Sequence, residues 1–263
     1  MIRLIACDID GTLLPPGEKR LDPIYFDQID RLAKQGIRFA AASGRQYTNL
    51  RRLFAPVADR IDYICENGSL IVCGGRIIYK KTVDRAFGEK LLRFLYEYEG
   101  CEPLLSGVET CYVQPKSADY ARHMREYVGN DVTVVEDLTK VPEDFLKIAA
   151  YFRDGISPGA QQDIAEFCRP YMYPVVSGLA WIDLLLEDCN KGVAMQELQS
   201  ALRISKAETA AFGDNENDIE LLGQAGIACA MQQGSEKLKA GADHVVENVF
   251  DVLAQIIQNG RIG

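Results

Sequence analysis

The stretch Cys7-Asp8-Ile9-Asp10-Gly11-Thr12-Leu13-Leu14 follows directly on the mostly apolar run Ile2-Arg3-Leu4-Ile5-Ala6. The run reads as a buried strand, yet it ends on two aspartates one residue apart. A carboxylate is costly to bury without a partner, so something of opposite charge has to face these two. Two more apolar runs of the same kind occur. Ile37-Arg38-Phe39-Ala40-Ala41-Ala42 closes on Ser43-Gly44-Arg45, and Thr209-Ala210-Ala211-Phe212-Gly213 closes on Asp214.

Between these strands the sequence reads as helix. Asp22-Pro23 is an N-cap followed by proline at the first helical position, Ile24, Phe26, Ile29 and Leu32 follow at helical spacing, and Gly36 ends the segment. A helix is expected over 46–54, then a short strand in Ile61-Asp62-Tyr63-Ile64-Cys65, then a hairpin turning at Gly74-Gly75. After residue 190 strand and helix alternate again. Such alternation implies an α/β fold with a parallel sheet covered on both faces. The stretch over 82–183 differs: it reads as an α+β insert, an antiparallel sheet with helices on one face. The α/β domain is therefore expected to be discontinuous, 1–81 and 184–263.

In a parallel sheet the polar strand ends gather in the crevice at the carboxyl edge. Asp8, Asp10 and Asp214 would meet there, and Asp218, four residues beyond Asp214, would face the same way. Two such charges about 4 Å apart repel by roughly 4 kcal/mol at an effective dielectric of about 20. Several pairs would rival the ~5–15 kcal/mol net stability of a domain. A divalent cation relieves this, and oxygen ligands with only two histidines in the chain point to Mg²⁺ rather than zinc. One ionised aspartate can attack phosphorus, and a second can protonate the leaving oxygen and later deprotonate water. Lys191, in Asn190-Lys191-Gly192, would supply positive charge, and Ser43 with loop N–H groups would supply donors.

The composition sets limits. The net charge of −9 argues against nucleic acid as a partner, though not against a small phosphorylated ligand. No window approaches ~20 uninterrupted apolar residues, so no membrane span is expected. The N-terminal apolar run is short and broken by Arg3 and Asp8, so no signal peptide is expected. The eight cysteines form no Cys-x-x-Cys pair and read as reduced core thiols of a cytoplasmic protein. Neither a Gly-x-Ser-x-Gly elbow nor a P-loop is present.

DIDGTLL at 8–14, SGR at 43–45, the lysine of NKG at 190–192 and GDNENDIELL at 213–222 occur in the order of the four motifs of the haloacid dehalogenase (HAD) superfamily. Together with ENGSLI at 66–71 and the position of the insert, the chain resembles its Cof-type branch with a type IIB cap. The resemblance covers essentially the whole chain and implies a Rossmann-like parallel-sheet core with an inserted cap. It implies that Asp8 is the nucleophile and Asp10 the general acid/base, whose backbone carbonyl also binds Mg²⁺. Asp214 would be a metal carboxylate, with Asp218 supporting it directly or through water. Ser43 and Lys191 would bind the phosphoryl group, and Gly44 and Asn217 sit where the family also contacts phosphate. The chain departs from its relatives at Leu186, where they often have proline, and at Asp188, where they often have glycine. It departs again at Gln232-Gln233, where they usually read Gly-Asn.

Each residue also has a plain reading. A lone Asp-x-Asp is a turn, Ser43 an N-cap, Lys191 a surface lysine, and Asp218 a helix-dipole charge. Four ordered motifs outweigh these. Arg45 is expected either to steer substrate phosphate or to pair with an acid, Asn67 to fix a loop, and Trp181 to pack at the hinge. Tyr112 and Tyr173 are expected to be sheet residues. The expectation is a cytoplasmic Mg²⁺-dependent phosphatase acting on a small phosphorylated metabolite, with a phosphomutase or a non-catalytic phospholigand-binding regulator as alternatives. The sequence does not indicate the oligomeric state.

Overall fold

The computed structural model describes residues 1–177 and 179–260, so Gly178, inside an expected strand pair, lies outside the described residues. The chain opens with β1 (Leu4–Asp8), α1 (Pro23–Lys34), β2 (Arg38–Ala42), α2 (Tyr47–Leu53), β3 (Asp62–Cys65), β4 (Leu70–Cys73) and β5 (Arg76–Lys80). All five residues of β1 are buried, as expected for a strand covered on both faces. The start of α1 follows the predicted chemistry: Asp22 accepts from the Ile24 N–H at 2.9 Å, and Pro23 occupies the first turn.

The next stretch holds α3 (Arg85–Glu97), β6 (Cys101–Ser106), β7 (Cys111–Val113), α4 (Tyr120–His123), β8 (Val132–Val134), β9 (Lys147–Phe152), α5 (Pro158–Cys168), β10 (Met172–Ser177) and β11 (Trp181–Leu186). The chain then returns through α6 (Lys191–Leu202), β12 (Thr209–Gly213), α7 (Ile219–Gly223), β13 (Ile227–Met231), α8 (Glu236–Ala240), β14 (His244–Val246) and α9 (Val249–Asn259).

Two compact units result. One comprises Met1–Arg45, Leu50–Lys80 and Asn190–Gly263, the other Gln46–Asn49 and Lys81–Cys189. Where the sequence suggested an insert over 82–183, the second unit runs six residues further and takes in the short 46–49 segment.

In the first unit, among the described residues, one sheet has the order β14-β13-β12-β1-β2-β3-β4-β5. The neighbours from β14 to β3 are parallel, and β4 and β5 are antiparallel additions. Strand order reverses at β1, which lies between β2 and β12. That is the switch point where the loops diverge and leave a crevice at the carboxyl ends. On one face Leu4, Ala6, Ala40, Ala42 and Ala211 pack with Met195 and Leu198 of α6 and Leu221 of α7. The small alanines let α6 lie close, which brings the start of that helix to the end of β1.

The second unit carries a sheet of order β10-β11-β9-β6-β7-β8. It is not wholly antiparallel as expected: β8 runs parallel to β7, because α4 carries the chain over before β8 begins. Nor are helices confined to one face. Leu91 and Leu95 of α3 and Ile164 of α5 pack with Ile148, Ala150 and Ile182, while Tyr120 and Met124 pack with Ala149 and Tyr151, the alternate residues of β9. Trp181 opens β11 opposite Tyr151, ring centroids 4.8 Å apart, and so belongs to this second cluster. All eight cysteines are free, seven of them buried. Among the described residues no helix is long and apolar enough to cross a membrane.

Candidate active site

β1 ends at Asp8, and the chain turns at once. Gly11 N–H donates to Leu14 O at 2.9 Å and Leu14 N–H to Ile9 O at 2.8 Å, with Gly11 at φ +90°. A Cβ on Gly11 would lie 2.1 Å from Asp214 Oδ2, so only glycine lets the turn at the end of β1 and the end of β12 meet this closely. Asp8 is paired in register with Ala42, which sets Ser43 at the neighbouring strand end. Ser43 is buried, its N–H donates to Ile64 O at 2.9 Å, and its Oγ accepts from Arg45 N–H at 3.2 Å.

Lys191 is the first residue of α6. Asn190 caps the helix by accepting from Val193 N–H at 2.9 Å, which starts the helix with the lysine pointed inward. Its ammonium is fully buried and donates to Asp8 Oδ1 at 2.6 Å and to Asp218 Oδ1 at 2.7 Å. Burial alone would push this ammonium down; the two carboxylates outweigh it and hold it above its usual range. Asp218 is fully buried, and its other oxygen accepts from the Asp214 and Asn215 N–H groups at 3.1 and 3.3 Å. Asp218 therefore fixes both the lysine and the loop that carries Asp214.

Burial pushes the Asp8 carboxyl up to about 7, against the pull of Lys191 and with repulsion from Asp218 added. Burial and the Asp218 charge push Asp214 up to about 6. Asp8, Asp214 and Asp218 each offer an oxygen within 4.8 Å of the others. Three carboxylates share one ammonium, and Asp8 Oδ2 is buried without a hydrogen-bond partner. An oxygen-only donor set with surplus negative charge and an orphaned carboxylate oxygen fits a hard divalent cation. Asp8 and Asp214 have oxygens to give it; both Asp218 oxygens are engaged, which fits a supporting role.

The sequence led us to expect four converging carboxylates, and the structure corrects this to three. Asp10 lies past the end of the strand and is held outside the cluster by Arg45, whose Nε and Nη2 donate to its two oxygens at 2.8 and 2.5 Å. Arg45 thus pairs with an acid, one of its two expected roles. Gly44 has no room for a side chain: a Cβ would lie 3.0 Å from the Asn67 amide. Asn67, at φ 55°, donates its N–H to Ser43 O at 3.1 Å, and Glu66 N–H donates to Arg45 O at 3.1 Å. This left-handed pair braces the Ser43–Arg45 turn, the loop-fixing role expected of Asn67. Asn217 is exposed on the turn beyond Asp214.

The departures keep their local geometry. Asp188 adopts φ 58°, the left-handed backbone that glycine would take most readily. Gln233 Nε2 donates to Gly11 O at 2.8 Å, and Ser235 N–H to Asp214 O at 2.8 Å, so the loop after β13 still closes on the site. The reach of Gln233 to Gly11 carries no signal in the sequence.

Residues 5–256 match the haloacid dehalogenase-like hydrolase family, and the chain belongs to it. Within that family it is a phosphatase, a phosphoric monoester hydrolase of the Cof-type branch. It is 28% identical to the 5-amino-6-(5-phospho-D-ribitylamino)uracil phosphatase YbjI of Escherichia coli K12, over 98% of this chain and 97% of that one. A solved protein from Eubacterium rectale is 27% identical, with a TM-score of 0.84 over 97% of this chain and 99% of that one. The fold is also that of the HAD subclass IIB sugar phosphatase BT4131, at 21% identity and a TM-score of 0.78, over 98% and 99% of the two chains.

Proposed function

We propose that this protein is a cytoplasmic, Mg²⁺-dependent phosphatase that hydrolyses a small phosphorylated metabolite through an aspartyl-phosphate on Asp8. The observation that carries the reading is the fully buried Lys191 ammonium 2.6 Å from Asp8 Oδ1 at the switch point of the sheet, with Asp8 Oδ2 left without a hydrogen-bond partner. An aspartate oriented in this way is a nucleophile held in place beside a fixed positive charge.

In the first step a bond forms between an Asp8 oxygen and phosphorus, and the bond from phosphorus to the ester oxygen breaks. Asp10 gives the leaving oxygen a proton. In the second step water gives a proton to Asp10, its oxygen bonds to phosphorus, and the Asp8–phosphorus bond breaks. Lys191 offsets charge on the transferring group, with Ser43, Gly44 and Asn217 as further contacts. Asp8, Asp214 and the Asp10 main-chain carbonyl would hold Mg²⁺, with Asp218 behind them. The chemistry that Mg²⁺ supplies when bound is neutralisation of phosphoryl charge.

The second unit is read as the cap that selects substrate and excludes water. The relative named for 5-amino-6-(5-phospho-D-ribitylamino)uracil puts that compound first in a substrate panel, followed by sugar phosphates, nucleotides and cofactor phosphates. Free phosphate is measured with Mg²⁺ and with EDTA, for wild type and Asp8→Asn. The reading requires Mg²⁺-dependent release that the variant loses; release persisting in pure Asp8→Asn protein would overturn it.

A further inference from the structure

Asp10 is the residue asked to move a proton, yet both of its oxygens accept from the Arg45 guanidinium, Oδ2 from Nε at 2.8 Å and Oδ1 from Nη2 at 2.5 Å. A carboxylate held by both oxygens has no proton to give a leaving group. The pair therefore has to part before the first step can be completed.

Arg45 is placed to part from it. Its main chain belongs to the phosphoryl-binding turn: its N–H donates to Ser43 Oγ at 3.2 Å, and its carbonyl accepts from Glu66 N–H at 3.1 Å. The backbone is held from both sides. The guanidinium is not: its side chain is 28% exposed and that of Asp10 is 55% exposed. A pair this open to solvent is weakly held, since exposed ion pairs contribute at most about 1 kcal/mol. The same planar fork that grips a carboxylate grips a phosphate, which brings more charge and more acceptor oxygens.

We propose that Arg45 is exchanged between two partners, Asp10 in the free enzyme and the phosphoryl group once substrate is bound. Arrival of the phosphoryl group at Ser43 and Gly44 draws the fork off Asp10, and this frees the acid for the leaving oxygen. Without a phosphoryl group the acid stays engaged. This deepens the phosphatase reading and rests on it.

The test compares wild type, Arg45→Ala and Arg45→Lys on two esters, p-nitrophenyl phosphate, whose leaving group needs little protonation, and a sugar phosphate, whose leaving group needs it. Phosphate binding is measured separately by calorimetry with inorganic phosphate and Mg²⁺. Exchange predicts that Arg45→Ala raises KM and weakens inorganic phosphate about tenfold, the scale of one charge-assisted contact. It predicts kcat within about threefold of wild type on both esters, because Asp10 is already free. Arg45→Lys, with the charge but not the fork, should recover part of the affinity. A fall in kcat confined to the sugar phosphate, with KM unchanged, would mean that Arg45 holds Asp10 throughout the reaction and would overturn exchange. Unaltered phosphate affinity in Arg45→Ala would overturn it as well. Wild type that hydrolyses neither ester would instead remove the phosphatase reading, while the calorimetry would still decide whether Arg45 meets phosphate.

Discussion

Replacing Asp8 by asparagine should stabilise the metal-free protein, and more so at higher pH. In the folded chain burial pushes the Asp8 carboxyl from its ordinary 3.8 to about 7. Between these two values the folded state holds a proton that the unfolded state has given up, so stability falls as pH rises through that window. About two of the three units lie between pH 5 and pH 8. At about 1.36 kcal/mol per unit this is roughly 2–3 kcal/mol, present in wild type and absent from the variant. Asparagine keeps an oxygen for Lys191 and puts an amide where Asp8 Oδ2 has no partner. In EDTA the melting temperature of Asp8→Asn minus that of wild type should therefore grow by roughly 5–10 °C between pH 5 and 8, at about 2–4 °C per kcal/mol. Saturating Mg²⁺ should shrink the gap, because the cation offsets the buried charge in wild type. A gap that does not change with pH in EDTA would refute the claim that the acidic cluster carries uncompensated charge.

Removing the cation of the cluster should have the opposite effect. Lys191→Met leaves Asp8 and Asp218 buried without their shared partner and should cost about 3–5 kcal/mol in thermal or urea unfolding, with turnover lost. Gly11→Ala forces a Cβ to within 2.1 Å of Asp214 Oδ2 at φ +90°, so it should lower both Mg²⁺ affinity, read by calorimetry, and kcat. Asp188→Gly, at φ 58°, should leave stability within about 1 kcal/mol of wild type in urea unfolding, because glycine adopts the same backbone without strain. Asp218→Asn should loosen both Lys191 and the Asp214 loop, and so lower Tm in EDTA as well as activity in Mg²⁺.

Much of the site was legible because its parts lie at the ends of elements with strong local signals. Asp8, Ser43 and Asp214 each follow an apolar run that has to be a buried strand, and parallel strands with helical crossovers put such ends on one edge. The Asp22-Pro23 start of α1 and the Asn190 cap of α6 are likewise local, since a cap needs only the N–H groups two or three residues on. Less was legible where the partner is distant in sequence. The direction of β8 depends on how α4 crosses the sheet, which no periodicity records. Arg45 looked equally suited to phosphate and to an acid, because its chemistry serves both.

The order and type of the elements, the acidic strand ends and the chemistry they call for are properties of short stretches, set by periodicity of two or 3.6 and by residue charge. From these alone follow the α/β class and the reading of Asp8 and Asp10. Which groups actually touch was decided only in three dimensions. Lys191 reaches Asp8 across 183 residues and Asp218 across 27, and Arg45 takes Asp10 from 35 residues away. Those pairings depend on strand order, on alanines small enough to admit α6, and on a glycine at position 11. They set charge against charge through space rather than along the chain.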